Sequence, residues 1–225
     1  MYRSISFVNF ATVLGVPGSY DQYCPIARSL DVLGDRWTLL VLRELSMSPQ
    51  RFTDLRNQLK GIPPNVLSQR LKRLVDDGLV VIEELPPPAA RSVYTLTPRG
   101  REAVPILRAL VRFGTSELEP ATPEHRLRPP LVVASAFLAW FDEIEARRIE
   151  VAEHYDLVMD GERQSIRSLR PTLWRGPESP PAVTVEGPTW AFARLRQGSS
   201  LGDAPLVVTG SEAARSRFRR IYALT

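Results

Sequence analysis

One short segment carries the side chains whose types and spacing best suit a chemical task. Between residues 63 and 78, leucines at 67, 71 and 74 predict the buried stripe of a helix, and polar or basic side chains occupy its other faces. Amides read adenine edges in a DNA major groove, and basic groups pair with guanine or with phosphate. The candidate DNA contacts on this helix are Asn65, Ser68, Gln69, Lys72 and Arg73. An ordinary amphipathic helix with a solvated polar face gives the same pattern.

The segments on both sides of this helix favour the DNA interpretation. RFTDLRNQL, residues 51–59, predicts a preceding helix that stops at Gly61. LVVIEEL (79–85) and SVYTL (92–96) predict two strands joined by a proline-rich tip that ends in Arg91. A helix-turn-helix followed by a hairpin is a winged helix, and its wing contacts backbone phosphate or the minor groove. Arg91 is therefore a further candidate DNA contact.

Other helices are predicted around this motif. Residues 20–45 predict two consecutive helices separated at Gly34, with Asp35 as N-cap of the second. After the wing, Thr97 caps a predicted helix that Pro105 kinks or delays. Its apolar stripe has no partner within so small a module, so we expect a second copy of the chain to cover it. The stripe consists of Val104, Leu107, Leu110 and Val111.

Positive charge is concentrated in the same part of the chain. The formal net charge is +4, and residues 20–115 contain 14 Lys and Arg against 10 Asp and Glu, whereas residues 120–225 contain 14 against 13. This distribution fits a nucleic-acid partner for the N-terminal half.

In this order and spacing, Tyr23-Cys24-Pro25, GDRWTLLVLREL, RFTDLRNQL, LSQRLKRLVDDGLV and YTLTPRG resemble the HxlR-type family of bacterial winged-helix transcriptional regulators. The resemblance covers roughly residues 20–115. It implies homodimers that join through the N-terminal helix and the helix after the wing, with the second helix of the motif inserted in DNA. Such proteins often carry an arginine soon after the DGLV turn, whereas residues 81–84 are Val, Ile, Glu and Glu here. Arg91 is thus the expected basic contact of the wing.

Cys24 is the only cysteine, which excludes an internal disulfide and fits a reducing compartment. It precedes Pro25 at the start of a predicted helix, a position that activates thiols. The resemblance implies a redox or electrophile switch at this thiol. A small buried hydrophobic residue is the alternative interpretation.

The rest of the chain predicts a second domain of α+β type. Residues 119–130 are rich in proline and charge and predict a linker. LVVASAFLAWFDEIEARR then predicts one amphipathic helix that buries Ala134, Phe137, Leu138, Phe141 and Ile144. Strand-like segments follow, and the last helix has Ser211 as N-cap. We therefore expect an antiparallel sheet covered by helices. The predicted domains are a flexible extension (1–19), a mainly α winged-helix domain (20–118), the linker (119–130) and the α+β domain (131–225).

This second domain is similar to sterol carrier protein type 2-like domains. The similarity lies in TVEGPTWAFARLRQG, the turn at residues 199–203 and LVVTGSEAARSRFRRIYAL. It implies an apolar cavity between sheet and helices for an elongated hydrophobic ligand, and a packed core used only for dimerisation or spacing is the alternative. The candidate pocket residues are Phe137, Trp140, Phe141, Trp174, Trp190, Phe192 and Phe218.

The sequence contains no motif that predicts an enzyme or a cofactor. His125 and His154 have no cysteine or second histidine at metal-ligand spacing, and GxGxxG, phosphate-loop and GxSxG motifs are absent. No apolar run approaches the roughly 20 residues of a membrane span, so a cytoplasmic protein that joins the nucleoid on DNA is expected.

The sequence therefore predicts a sequence-specific repressor that binds double-stranded DNA as a homodimer and senses a hydrophobic small molecule through its C-terminal domain. The alternative is a hydrophobic-ligand carrier or partner-docking protein that uses the winged helix for protein contacts.

Overall fold

The N-terminal half consists of short helices around one hairpin. The structure is a computed structural model that describes residues 19–85, 91–124, 127–168, 173–174, 180–195 and 199–222. The predicted extension, apart from its last residue, lies outside these ranges. The elements of this half are α1 (Pro25–Leu33), α2 (Thr38–Met47), α3 (Phe52–Gln58), α4 (Pro64–Asp76), β1 (Val80–Leu85), β2 (Arg91–Leu96), α5 (Pro98–Arg101) and α6 (Val104–Thr115).

The predicted winged helix is confirmed. The three leucines of α4, Leu67, Leu71 and Leu74, are at most 1% exposed and pack against Leu42 and Leu55 of the same core. Glycines follow both helices as predicted: Gly78 comes directly after the C-cap of α4, and Gly61 lies two residues beyond the C-cap of α3, with φ values of 70° and 92° that other residues rarely adopt. Helices α3 and α4 are thus the helix-turn-helix, and β1 pairs with β2 as the antiparallel wing.

An isolated β-bridge, which the sequence did not reveal, supports the wing. Gln50 and Tyr94 exchange two main-chain hydrogen bonds of 3.0 and 2.8 Å. Residues 48–51 carry no alternating apolar pattern, so the bridge depends on β2 and not on local sequence. It anchors the base of the wing immediately before α3.

Two local predictions for the N-terminal helices had different outcomes. Asp35 is not the N-cap of α2, since Trp37 occupies that position and the Asp35 carboxylate contacts Arg70 of α4. Thr97 is a cap as predicted, because its Oγ1 accepts a 3.0 Å hydrogen bond from the Gly100 nitrogen. The helix after the wing is interrupted between α5 and α6, and Pro105 lies at the start of α6.

The C-terminal half combines helices with a five-stranded sheet. Its elements are α7 (Pro129–Trp140), α8 (Glu143–Ile149), β3 (His154–Met159), β4 (Glu162–Arg167), β5 (Leu173–Trp174), β6 (Val183–Gly187), α9 (Thr189–Leu195), β7 (Val207–Gly210) and α10 (Glu212–Ile221). The strand order is β5-β4-β3-β6-β7. The buried side chains of the three central strands pack in one cluster with residues of α7, α9 and α10.

The expectation of an antiparallel sheet is wrong at the centre of the sheet, where β3 and β6 are parallel. The other pairs are antiparallel. A two-residue turn with positive φ at Asp160 and Gly161 forces β4 to return beside β3. The chain then crosses from β5 to the opposite side of β3, so β6 enters in the direction of β3. Side chains alternate in the same way in parallel and antiparallel pairs, and the apolar pattern therefore does not specify strand direction.

The single helix predicted for residues 131–148 is also corrected. It is divided between α7 and α8, because the Asp142 side chain accepts a 2.9 Å hydrogen bond from the Glu145 nitrogen and starts a new helix. Ile144, expected on the buried side, is 82% exposed. Ser211, in contrast, caps α10 as predicted.

Helix α7 packs against both halves of the chain. Its sequence, PPLVVASAFLAW, has no charged residue, and a helix that is apolar on all sides needs partners on all sides. It contacts α6 and α2 of the winged helix as well as α9, and Met47 of α2 lies in the same apolar cluster as Val132 and Val133. Within the predicted linker, Ala121 is buried and Arg128 donates hydrogen bonds to Gln58. Helix α7 is therefore part of the packing of both halves.

A charged network joins α10 to the sheet. Arg217 donates two hydrogen bonds to the Glu153 carboxylate, at 2.9 and 2.7 Å, and the Tyr155 hydroxyl donates a third at 2.7 Å. Burial alone would raise the pKa of Glu153, but the hydrogen bonds from Arg217 and Tyr155 together with the Arg217 charge lower it. Burial and the bond to Glu153 raise the pKa of Tyr155, which stays a neutral donor.

Arg217→Met is expected to lower the free energy of unfolding by about 1.5–3 kcal/mol at neutral pH, because it removes two charge-assisted hydrogen bonds. Since the folded pKa of Glu153 lies below the unfolded value, this stabilisation is present above about pH 4.3 and is lost as pH falls through the folded pKa. Urea unfolding at several pH values measures it. Arg215→Met on the same helix, whose partner Glu212 is largely exposed, should cost less than about 1 kcal/mol. Equal losses of unfolding free energy in Arg217→Met and Arg215→Met would contradict a stabilising role for the contact between Arg217 and Glu153.

Candidate nucleic-acid interface

Helix α4 presents one continuous polar face. Asn65, Ser68, Gln69 and Lys72 are exposed and lie at positions i, i+3, i+4 and i+7, which share one side of a helix. The opposite side is buried in the winged-helix core. The core therefore fixes which side chains project from the protein, and four of the five candidate contacts on this helix project together.

Arg73, the fifth candidate, lies on the flank of α4 and contacts other residues of the protein. Its Nη2 donates a 2.8 Å hydrogen bond to the Asp31 main-chain oxygen, and its Nη1 lies 3.5 Å from Asp35 Oδ2. The neighbouring Arg70 contacts the same Asp35 carboxylate. Burial, together with the nearby Arg73 guanidinium, lowers the pKa of Arg70.

The wing brings Arg91 close to the tip. Arg91 is the first residue of β2 and pairs with Leu85, but its side chain and the tip at residues 86–90 lie outside the described part of the structure. Glu83 and Glu84 are exposed on β1, and Ser92 donates a 2.5 Å hydrogen bond to Glu84. The first wing strand therefore presents acidic side chains, as the sequence indicated.

The apolar stripe of α6 is only partly as expected. Leu107 is buried, and Val104 and Val111 pack against the winged-helix core of the same chain, which corrects the view that the whole stripe lacks a partner. Leu110 is 44% exposed. It belongs instead to a second set of exposed apolar residues on α6 and on or just before α1. We call this set the apolar face: Tyr23, Ile26, Leu30, Ile106, Leu110 and Phe113.

The two helices of the apolar face adjoin each other. Ile106 lines the same surface cavity as Arg28 and Ser29 of α1. Cys24 is half-buried at the N-cap position of α1, before Pro25 at the first helical position. The sensor role of its thiol stays a prediction.

In the C-terminal half, an apolar cavity of about 50 Å³ lies between α7, β3 and α9. Of the predicted pocket residues, Trp140 and Phe192 line it. Phe141 and Phe218 instead pack into an aromatic cluster with Tyr222, at ring distances of 5.8 and 5.1 Å. Trp190 is half-buried against the same core. The side chains of Phe137 and Trp174 lie outside the described residues.

Most of the cavity wall consists of aliphatic residues that sequence reasoning missed. The alternation of Tyr155, Leu157 and Met159 along β3 was the available signal, since the last two line the cavity. The remaining lining residues are Val132, Val133, Ala136, Leu195 and Tyr222.

The described residues contain no cluster of three His, Cys, Asp or Glu side chains that could hold a metal ion. None of their helices is long and apolar enough to cross a membrane.

Comparison with known proteins assigns the N-terminal half. The HxlR-like helix-turn-helix family model matches residues 32–122. An uncharacterised HTH-type transcriptional regulator of Synechocystis is 39% identical over 43% of this chain and 71% of its own length. YvaP of Bacillus subtilis, also an HTH-type transcriptional regulator, is 32% identical over 44% of this chain and 94% of its own.

A solved structure described as a transcriptional regulator of the MarR family, from Porphyromonas gingivalis W83, is 31% identical with a TM-score of 0.41. It covers 44% of this chain and 96% of that one. With relatives matched over most of their length and an exposed polar face on the second helix of the motif, the chain belongs to the HxlR-like helix-turn-helix family of DNA-binding transcriptional regulators.

Proposed function

We propose that the protein binds DNA as a two-fold homodimer, represses transcription and responds to a hydrophobic small molecule bound in its C-terminal half. The observation that carries the first part is the pairing of two surfaces on one module. The exposed polar face of α4 suits a major groove, and the apolar face of α1 and α6 suits a second copy of the chain.

The dimer follows from the cost of leaving the apolar face in water. Tyr23, Ile26 and Phe113 are 95%, 71% and 73% exposed. Large contiguous apolar patches on a soluble domain mark contact surfaces, and a two-fold axis through such a patch buries it on both copies at once. Two recognition helices then lie roughly 34–36 Å apart and read inverted half-sites. We propose repression because a dimer over two half-sites excludes polymerase from the DNA that it occupies.

Within each half-site, we propose that Asn65, Ser68 and Gln69 read bases, while Lys72 and Arg91 hold phosphates. Amides and hydroxyls offer donors and acceptors to base edges, whereas a flexible ammonium acts as a point charge. Arg73 is left out of the phosphate set because its guanidinium already has partners in Asp31 and Asp35.

Gln69→Ala and Lys72→Ala are expected to have different consequences. The first should cost about 1–3 kcal/mol at one base pair and relax preference there. The second, like Arg91→Ala, should weaken all sequences alike and reduce the slope of log affinity against log salt by about 1. Fluorescence anisotropy with DNA from upstream of its own gene and its single-base variants, at several salt concentrations, measures both. A changed base preference with an unchanged salt slope for Lys72→Ala would reverse the two roles.

For the C-terminal half, we propose a sensor because its cavity and the winged helix share α7. Val132, Val133, Ala136 and Trp140 of this helix line the cavity, while α7 also packs against α6 and α2. A ligand that displaces α7 would therefore act directly on a helix of the apolar face. The apolar lining sets the ligand class as hydrophobic.

A further inference from the structure

We propose that Asp35 is the positioning residue of the recognition helix, holding α4 at a fixed angle through Arg70 and Arg73 so that its polar face meets the bases in register. This proposal rests on base reading by α4. Asp35 itself lies outside α4 and is not one of the proposed DNA contacts.

The contacts tie two successive turns of α4 to one point. Asp35 lies in the turn between α1 and α2, and its Oδ2 contacts Nη1 of Arg70 and lies 3.5 Å from Nη1 of Arg73. Arg73 Nη2 also donates a 2.8 Å hydrogen bond to the Asp31 oxygen, near the end of α1. Arginines at i and i+3 on one flank, converging on one carboxylate, restrict rotation of the helix about its axis.

The burial of Arg70 makes the Asp35 carboxylate difficult to replace. The Arg70 side chain is only 12% exposed, and Asp35 is its one carboxylate partner among the described residues. Without Asp35, the Arg70 guanidinium would be largely removed from water with no carboxylate partner among the described residues, whereas Arg73 would keep the Asp31 oxygen and Asp77. Removing one partner of such a group costs more than the pair itself contributes, so α4 would shift to expose Arg70.

The leucine stripe alone does not define the position of α4 as sharply. Leu67, Leu71 and Leu74 fix which side is buried, but apolar contacts are non-directional and tolerate small rotations. Base reading needs side chains placed within about 0.5 Å of the productive geometry. The directional contacts of Asp35 supply the constraint that base reading requires.

A positioning role for Asp35 and simple electrostatics predict opposite changes in DNA affinity when the Asp35 charge is removed. Removing a carboxylate near DNA reduces repulsion and should tighten binding if Asp35 has no other role. If Asp35 positions α4, Asp35→Asn should weaken binding by about tenfold or more, since it removes hydrogen bonds to charged groups. It should also flatten discrimination between the operator and single-base variants at the bases that α4 reads. Asp35→Glu, which keeps the carboxylate, should restore most of that discrimination.

Asp31→Asn is the matched control. Its carboxylate binds Ser19, the Tyr20 nitrogen and Arg28, whereas only its main-chain oxygen meets Arg73. This variant removes the same charge from nearly the same place without changing a side-chain contact to α4. It should bind DNA as tightly as wild type or more tightly, with unchanged base discrimination.

The experiment compares these full-length variants by anisotropy at 25 °C after circular dichroism shows each to be folded. Arg73→Gln provides an independent test if Asp35→Asn does not fold. It should lose base discrimination while keeping the salt slope, because an internally held guanidinium neutralises no phosphate. Unchanged or tighter binding by folded Asp35→Asn, or a slope reduced by about 1 in Arg73→Gln, would overturn the proposal.

Discussion

Replacing Phe113 with aspartate is expected to dissociate the protein into monomers and to weaken operator binding by about 100-fold or more, because a monomer loses the gain from two linked half-site contacts. Phe113 is 73% exposed on α6, and the part of the chain that the structure describes leaves most of its ring uncovered. A carboxylate buried in an apolar interface costs several kcal/mol unless it finds a partner. Sedimentation equilibrium and anisotropy on the same samples measure both consequences.

The chain offers a matched control for this change. Ile144 is 82% exposed on α8, outside the apolar face. Ile144→Asp introduces the same charge at an equally exposed apolar position and should leave both the dimer and the operator affinity unchanged. A wild-type monomer at micromolar concentration that still binds its operator tightly would remove the basis for the homodimer.

The polar face of α4 could be predicted because it depends on local periodicity alone. Leucines at helical spacing determine the buried side, and the exposed positions of Asn65, Ser68 and Gln69 follow from them. Arg73 could not be assigned in this way. Its main-chain partner, Asp31, is 42 residues away in sequence, and a basic residue on the flank of a helix has the same local pattern whether it meets phosphate or protein.

The C-terminal half was less predictable for a related reason. The spacing of apolar residues indicated strands and helices, but not the parallel pairing of β3 with β6, which depends on how the chain crosses the sheet. The break at Asp142 was signalled by a capping residue before Glu145, although the longer apolar run obscured it. The uniformly apolar sequence of α7 was itself a sign of contacts on two sides.

Among the predicted pocket aromatics, membership of the cavity could not be read from residue type. Phe218 and Phe192 are both apolar and buried, yet Phe218 packs edge-on against Tyr155 at 5.0 Å while Phe192 lines the cavity. Which aromatic side chain meets another ring depends on the three-dimensional arrangement of α9 and α10 on the sheet. The aromatic residues could be identified from the sequence, but which of them line the cavity and which contact other rings depends on packing.

The C-terminal cavity, at about 50 Å³, is too small for the hydrophobic ligand that we propose. Sites for drug-sized ligands measure roughly 300–1,000 Å³, so binding requires α7 to move away from β3 and α9. Because α7 also packs against α6 and α2, that movement must alter the winged helix or its dimer.

An apolar ligand is therefore expected to change operator affinity of the full-length protein by about 5- to 150-fold, the usual range for coupling between two sites. A C16 fatty acid, a steroid and a polycyclic aromatic hydrocarbon are suitable probes, with fluorescence of Trp140 reporting occupancy and Trp140→Phe identifying its signal. Ala136→Leu, which fills the cavity, should abolish both the fluorescence change and the effect on DNA, whereas Ile144→Leu on exposed α8 should preserve both. Truncation before α7 is unsuitable, because it would expose Met47 and the covered side of α6. If a probe binds and operator affinity does not change, the C-terminal half is a ligand carrier. If none of the three probes changes the fluorescence or the operator affinity, α7 serves only to pack the two halves together.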